Sequence, residues 1–372
     1  MSKTIIAKNP LKDRSAVQRR HAPTYVLILL LSFAFSVTAT RIFLNLTGFP
    51  QIGSGELHIA HVLWGGLFLF IASLIPLIFA NQWALELSSL VSGIGVGLFI
   101  DEVGKFITSS NDYFYPTAAP IIYTFFLLTV LVFVQVRHQR KPSHRAEMYA
   151  ILEDFAEVLD RDLSEFEFKQ LNTRLEEVLA DCSDDQLRGL ALSLQTFLQQ
   201  RPQIAPHDPT LVERIQAAYR RFESRWLTRQ NLRRIVILGL LLWAGWALVS
   251  QTVMFLSTHD AQQFQLLVEQ FTQNRLIRDA GGMNWFEVQI LLEGIMGLIA
   301  LASGICFFTH HEEMATWLGI FDLLVTLTAV NLLTFYFDQF STIAFAIYQF
   351  LLLVLLLQYR RRYVTPKKVK RH

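Results

Sequence analysis

Eight apolar blocks, separated by short polar turns and one long charged interval, set the layout of this chain. They run over about Thr24–Leu46, Leu57–Phe79, Ala84–Ile107, the stretch ending at Val136, Ile235–Leu256, Trp285–Phe308, Met314–Phe335 and Thr342–Tyr359. About 20 apolar residues in helical form cross the hydrocarbon of a bilayer, so each block predicts a membrane-spanning helix. Gly48, Pro50, Gly53 and Gly55 close the first connection, and Asn81-Gln82 closes the second. Pro120 falls in the first turn of the fourth helix, where a missing N–H does no harm. The stripe Gly93-x-Gly95-x-Gly97 lets the third helix approach a neighbour closely. It lacks the strand–turn–helix setting of a nucleotide fingerprint. The predicted architecture is all-α: a polytopic transmembrane helix bundle with a 4+4 arrangement of spans. Ile122-Tyr123 and Ile347-Tyr348, each before a leucine-rich run with a basic end, suggest that the two halves are repeats.

The charged interval, residues 137–234, is helical in pattern. Ser164 with Glu167 and Ser183 with Gln186 have capping-box spacing, and Asp208-Pro209 reads as a cap followed by a first-position proline. Helices are expected at about 144–160, 164–181, 184–199 and 209–231. Leu171, Leu175, Val178 and Leu179 recur at helical spacing, the mark of a face on a small core. Residues 261–275 place Phe264, Leu267, Val268 and Phe271 on one face, an amphipathic segment suited to a membrane interface. Asn284 with Glu287 reads as the cap of the sixth span. The domain plan is a basic tail (1–23), four spans (24–136), the insert (137–234), four more spans (235–359) and a second basic tail (360–372).

Composition agrees with this plan. The chain is 52% hydrophobic, with 30 Phe and 7 Trp, and its mean hydropathy is +0.34. Its net charge of +2 hides a strong segregation. The N-terminal tail, the run after span four, the run before span five and the C-terminal tail are all basic, and an eight-span count puts all four on one side. The positive-inside rule makes that side the cytoplasm of a bacterial inner membrane, with both termini and the insert there. No basic patch with interleaved aromatics points to nucleic acid. The bilayer is the expected partner, together with a small ion or solute and, through the insert, a cytoplasmic protein or a second copy. Cys182 and Cys306 predict no disulfide and have no zinc spacing.

Ionisable residues at membrane depth are costly and point to function. His58 and His61 share one helix face at the outer mouth of span two. Asp101 lies about 9 Å inside the same surface at 1.5 Å per residue, with Glu102 beside it. Arg41, Lys105, Asp112 and Glu287 fall near that level, and Glu293 lies deeper. The group predicts one polar cavity opening outward. Arg41, Asp101, Glu102, Lys105, Glu287 and Glu293 are candidates for holding an ion or solute. His58 and His61 with Asp101 and Asp112 form a candidate divalent-metal set, zinc above all. The histidines read equally as a proton relay or as a hydrogen-bonded interfacial pair, and Asp101 as a packing ion pair with Arg41 or Lys105. No serine–histidine–aspartate order, phosphate loop or zincin motif is present.

His58-x-x-His61-x-x-Trp64-Gly65, the glycine stripe leading to Asp101-Glu102, and Asp112-Tyr113 together resemble a loosely defined set of uncharacterised bacterial polytopic membrane proteins. That resemblance implies that His58, His61, Asp101, Glu102 and Asp112 act together. A fainter similarity is to membrane hydrolases of the ceramidase and adiponectin-receptor type, which hold zinc with several histidines and an aspartate. The chain departs from them in helix count and in lacking a third histidine at the same depth, His259 being the only spare. The function expected is binding of a cation or small polar solute for transport. A metal-dependent membrane hydrolase, with Asp101 or Glu102 as base, and a non-catalytic membrane sensor are the alternatives.

Overall fold

The computed structural model describes residues 16–48, 60–109, 113, 115–138, 143–160, 165–200, 228–259, 280–338 and 342–364, and among them there is no strand. The helices are α1 Ala22–Thr47, α2 His61–Ile78, α3 Gln82–Asp101, the short α4 Val103–Ile107, α5 Ala118–Arg137, α6 His144–Asp160, α7 Glu165–Asp181 and α8 Asp185–Gln200. They continue with α9 Arg229–His259, α10 Ala280–Phe308, α11 Glu312–Val325, α12 Asn331–Asp338 and α13 Ile343–Tyr359. A π turn, Thr326–Val330, joins α11 to α12, and a second, Arg360–Val364, ends α13. Eight helical segments among the described residues are long and apolar enough to cross a membrane, when Glu312–Phe337 and Ile343–Val364 are each counted as one through their π turns. The chain is therefore an all-α integral membrane protein.

Several expected boundaries move. The third span is not continuous to Ile107: it breaks at Glu102, whose φ of −92° and ψ of 7° depart from helix. The sixth span starts at Ala280, so Asn284 and Glu287 lie inside it rather than at its start. At α8 the cap is Asp184 rather than Ser183, because the Asp184 carboxylate accepts the N–H groups of Gln186 and Leu187 at 2.9 and 3.4 Å. An aspartate there satisfies two of the orphan donors and opposes the helix dipole, which Ser183 cannot do as well. Ser164, the amphipathic segment 261–275 and most of the expected helix 209–231 lie outside the described residues.

The helices group into two compact units, one within Met1–Phe35, Gly65–Gly97 and Thr129–Thr210, the other within Ser36–Trp64, Leu98–Leu128 and Leu211–His372. In the first unit the glycine stripe works as its sequence suggests. A Cβ at Gly93 would overlap Ser32 Oγ and backbone atoms of Leu29 and Phe33, and one at Gly95 would stand 3.0 Å from the Gly65 carbonyl. Alternate glycines thus seat α3 against α1 and α2. Ser88 Oγ adds a hydrogen bond to the Ala72 carbonyl at 2.7 Å. The insert helices α6, α7 and α8 close over Ile151, Leu171, Leu175, Val178 and Ala191, the face expected from the periodicity. Just before α1, Arg20 bonds Asp154 and Arg19 reaches Glu153 at 2.9 Å. Arg174 approaches the same Asp154 at 2.7 Å.

In the second unit α9, α10, α11 and α13 pack around Leu232, Val236, Leu240, Phe307, Leu323 and Leu356. Large apolar side chains such as Leu238, Trp246, Leu298 and Phe321 face outward, as lipid contact requires.

The Gly93 contact makes a direct prediction. Gly93→Ala is expected to lower stability in detergent by about 1–3 kcal/mol through overpacking. Gly66→Ala, with nothing within 4 Å of the new methyl, should be neutral or mildly stabilising through helix propensity. Thermal unfolding of the two purified variants compares them.

Candidate functional site

The break at Glu102 separates two neighbouring carboxylates. On an unbroken helix Asp101 and Glu102 would point about 100° apart, and each needs its own partners once buried. Both are fully buried. Asp101 accepts Arg41 Nε on Oδ1 at 2.5 Å, and the same guanidinium reaches the Asp101 carbonyl at 3.0 Å. Its Oδ2 accepts Tyr113 Oη at 2.6 Å and lies 3.1 Å from His61 Nε2. Glu102 takes Lys105 Nζ on Oε1. Its Oε2 accepts the Val62 N–H at 2.9 Å, so Glu102 caps α2. A carboxylate there meets the positive end of the helix dipole.

His61, the first residue of α2, stands between the two acids. Its Nε2 faces Asp101, and its Nδ1 is 3.7 Å from Glu102 Oε2. With a proton on Nε2 the neutral imidazole donates to Asp101 and leaves Nδ1 toward Glu102. His61 and Lys105 keep 23% and 26% of their side chains exposed, while Arg41 keeps 8%. The acids thus sit behind a rim of His61 and Lys105. The Arg41 guanidinium also stacks 4.2 Å over the Tyr113 ring, a cation–π contact that fixes both. Burial and the nearby Asp101 charge hold the Tyr113 phenol well above its ordinary range, so it stays a donor.

Five of the sequence candidates, Arg41, His61, Asp101, Glu102 and Lys105, meet directly. Glu287 and Glu293 stand on α10, Glu287 exposed and Glu293 half-buried. His58 and Asp112 lie outside the described residues. Among the described residues no three His, Cys, Asp or Glu side chains are arranged to hold a metal ion. A zinc ion at Asp101 would have to displace Arg41 or Tyr113. Tyr113 joins the site although the sequence marked it only as a loop residue beside Asp112. Its signal was an aromatic donor 12 positions after a buried acid, too common a pattern to single out.

The second unit holds a group that the sequence reading passed over. Asp322 is fully buried on α11, and a lone acid within an apolar block was the available signal. Asn331 Nδ2 donates to Gln349 Oε1 at 2.8 Å in the same unit.

No known protein family matches the chain, and neither does any curated protein or solved structure.

Asp101→Asn is expected to destabilise the protein by about 3–5 kcal/mol, because Arg41 stays buried without its counter-charge. The double variant Arg41→Met/Asp101→Leu, which removes both charges, should recover most of that loss. Denaturant unfolding in mild detergent measures both.

Proposed function

We propose that the chain is a membrane carrier that binds a cation or small polar solute at the Arg41–Asp101–His61–Glu102–Lys105 cluster, with binding coupled to a proton on His61. The observation that supports this is the position of His61. One imidazole touches Asp101 and faces Glu102, while each carboxylate already has a cation of its own. With His61 neutral, two carboxylates balance two cations. A proton on His61 adds one positive charge, which repels an arriving cation. An arriving cation displaces Lys105 from Glu102, since Lys105 is partly exposed on a flexible stem and Arg41 is held by two bonds and a ring. Proton and cation therefore exclude each other, the logic of an exchanger.

The segregated basic clusters favour a bacterial inner-membrane orientation with the cluster facing outward and the insert in the cytoplasm. The insert then offers a surface for a cytoplasmic partner or a second copy.

Purified protein in liposomes loaded with a pH-sensitive dye tests the reading. Gradients of sodium, potassium, magnesium or a small organic cation are imposed in turn. At least one should drive proton movement, Asp101→Asn should abolish it, and His61→Gln should flatten its pH dependence. Equal traces from wild type and Asp101→Asn under every gradient would overturn the proposal. So would stoichiometric zinc in the purified protein that disappears in His61→Ala, which favours a hydrolase.

A further inference from the structure

The segment just before α1 and the first half of α6 form a second polar site, wholly within the first unit. α6 has two faces. Met148, Ile151 and Phe155 belong to the core of the insert. Arg145, Tyr149 and Glu153, spaced by four, share the other face. That face lines a cavity of about 440 Å³, whose remaining wall is Ala16 to Arg20. Small-ligand sites are commonly about 300–1,000 Å³.

The level of the cavity follows from two anchors. α1 is a membrane span and starts at Ala22, two residues after Arg20. Gln18 Nε2 donates to the Val136 carbonyl at 2.6 Å, in the last turn of α5, which is another span. The cavity therefore lies at the ends of two spans, where the hydrocarbon gives way to lipid headgroups.

Its mouth is positive. Arg20 is held on Asp154, and its second nitrogen donates to Gln170 Oε1 at 2.9 Å. Asp154 also takes Arg174 at 2.7 Å and faces His21 Nε2 at 3.7 Å. Arg174 reaches Glu147 as well, at 2.5 Å. These acids are thus answered behind the cavity. At the mouth stand Arg19, Arg145 and Glu153, two cations to one carboxylate. Arg19 is 59% exposed and pairs with Glu153 at 2.9 Å, and such a surface pair is weak enough to exchange. The Arg145 guanidinium lies 5.4 Å from the centre of the exposed Tyr149 ring.

A phosphodiester fits this arrangement. Its single negative charge balances the excess, and its two free oxygens suit planar guanidiniums, which bind phosphate through paired hydrogen bonds. The exposed tyrosine supplies the amphipathic ring that the interface favours. A divalent cation fits poorly, since arginines stand on both walls and Glu153 is the one lining acid among the described residues. The level decides between a dissolved phosphate and a lipid: headgroup phosphates are concentrated at the ends of the spans, where basic pockets collect anionic lipids.

We propose that the cavity between Ala16–Arg20 and α6 binds the phosphodiester headgroup of an anionic phospholipid, held by Arg19 and Arg145. One headgroup then touches both the entry to the first span and the insert, and ties the insert to the membrane surface. The site stands whether or not the Arg41–Asp101 cluster is an exchanger.

The probe is phosphatidylglycerol with a photoactivatable diazirine on its headgroup, added in trace to the full-length protein in non-ionic detergent. Peptide mass spectrometry locates the adducts, which are expected on the peptides that hold Arg19 and Tyr149. Unlabelled phosphatidylglycerol should suppress them, whereas equal amounts of phosphatidylcholine or of dissolved glycerol phosphate should not. Arg19→Gln/Arg145→Gln should lower labelling about tenfold or more through two lost charge-assisted contacts. Arg188→Gln, which removes an exposed charge on α8, should leave it unchanged. No label on these peptides, full labelling in the double variant, or equal suppression by phosphatidylcholine or glycerol phosphate overturns the proposal. If the double variant fails to fold, the three competitions on the wild type decide the question.

Discussion

Two adjacent carboxylates buried at the end of a membrane helix are the constraint around which that end is arranged. Neither can remain ionised without partners, and a regular helix would aim them in different directions. The chain resolves this by stopping α3 at Asp101 and restarting at Val103. Asp101 then draws in α1 through Arg41, α2 through His61 and the following loop through Tyr113. Glu102 draws in the N-terminus of α2 and its own next turn through Lys105. Three helix ends and a loop are thus tied to two acids. Any chemistry at this place must work by exchanging those partners, because few lone pairs are left over.

The helices α9 to α13 treat polarity differently. Several of their polar side chains are satisfied as neutral pairs or on backbone carbonyls. Asn331 meets Gln349, Ser303 bonds Ala315, and Tyr348 Oη donates to the Gly239 carbonyl at 2.6 Å. Tyr123 Oη reaches the carbonyl of Leu327, inside the π turn, at 2.5 Å. The Asp101–Glu102 cluster balances charges against charges, while these groups of α9 to α13 are paired without charge. Asp322, fully buried on α11, is the exception.

Spans were legible because the bilayer demands them: length and hydropathy alone place all eight. The insert helices were legible for a similar reason, since Leu171, Leu175 and Val178 repeat at the helical period. The break at Glu102 was not. Val103 to Ile107 is as apolar as what precedes it, and only the pairing of Glu102 with the α2 N-terminus, a contact 40 residues distant in sequence, ends the helix there. Asn284 failed as a cap for a related reason. A capping residue works only where a helix begins, and the preceding Ala280–Gly282 is helical in spite of its glycines. Depth along the spans pairs Arg41 with Asp101, whereas Tyr113 needed the fold to bring it round. Asp322, a solitary acid in an apolar block, leaves no pattern in the sequence.

The bonds just before α1 carry a consequence for crossing parity. Gln18 Nε2 reaches the Val136 carbonyl at 2.6 Å, and Arg20 reaches Asp154. The chain's entry to its first span and its exit from its fourth therefore lie on the same side of the bilayer. An even number of crossings between them follows from that contact alone, without hydropathy or the distribution of lysine and arginine. If one of the first four apolar helices merely dipped into the membrane and returned, Arg20 and Asp154 would be separated by its whole thickness.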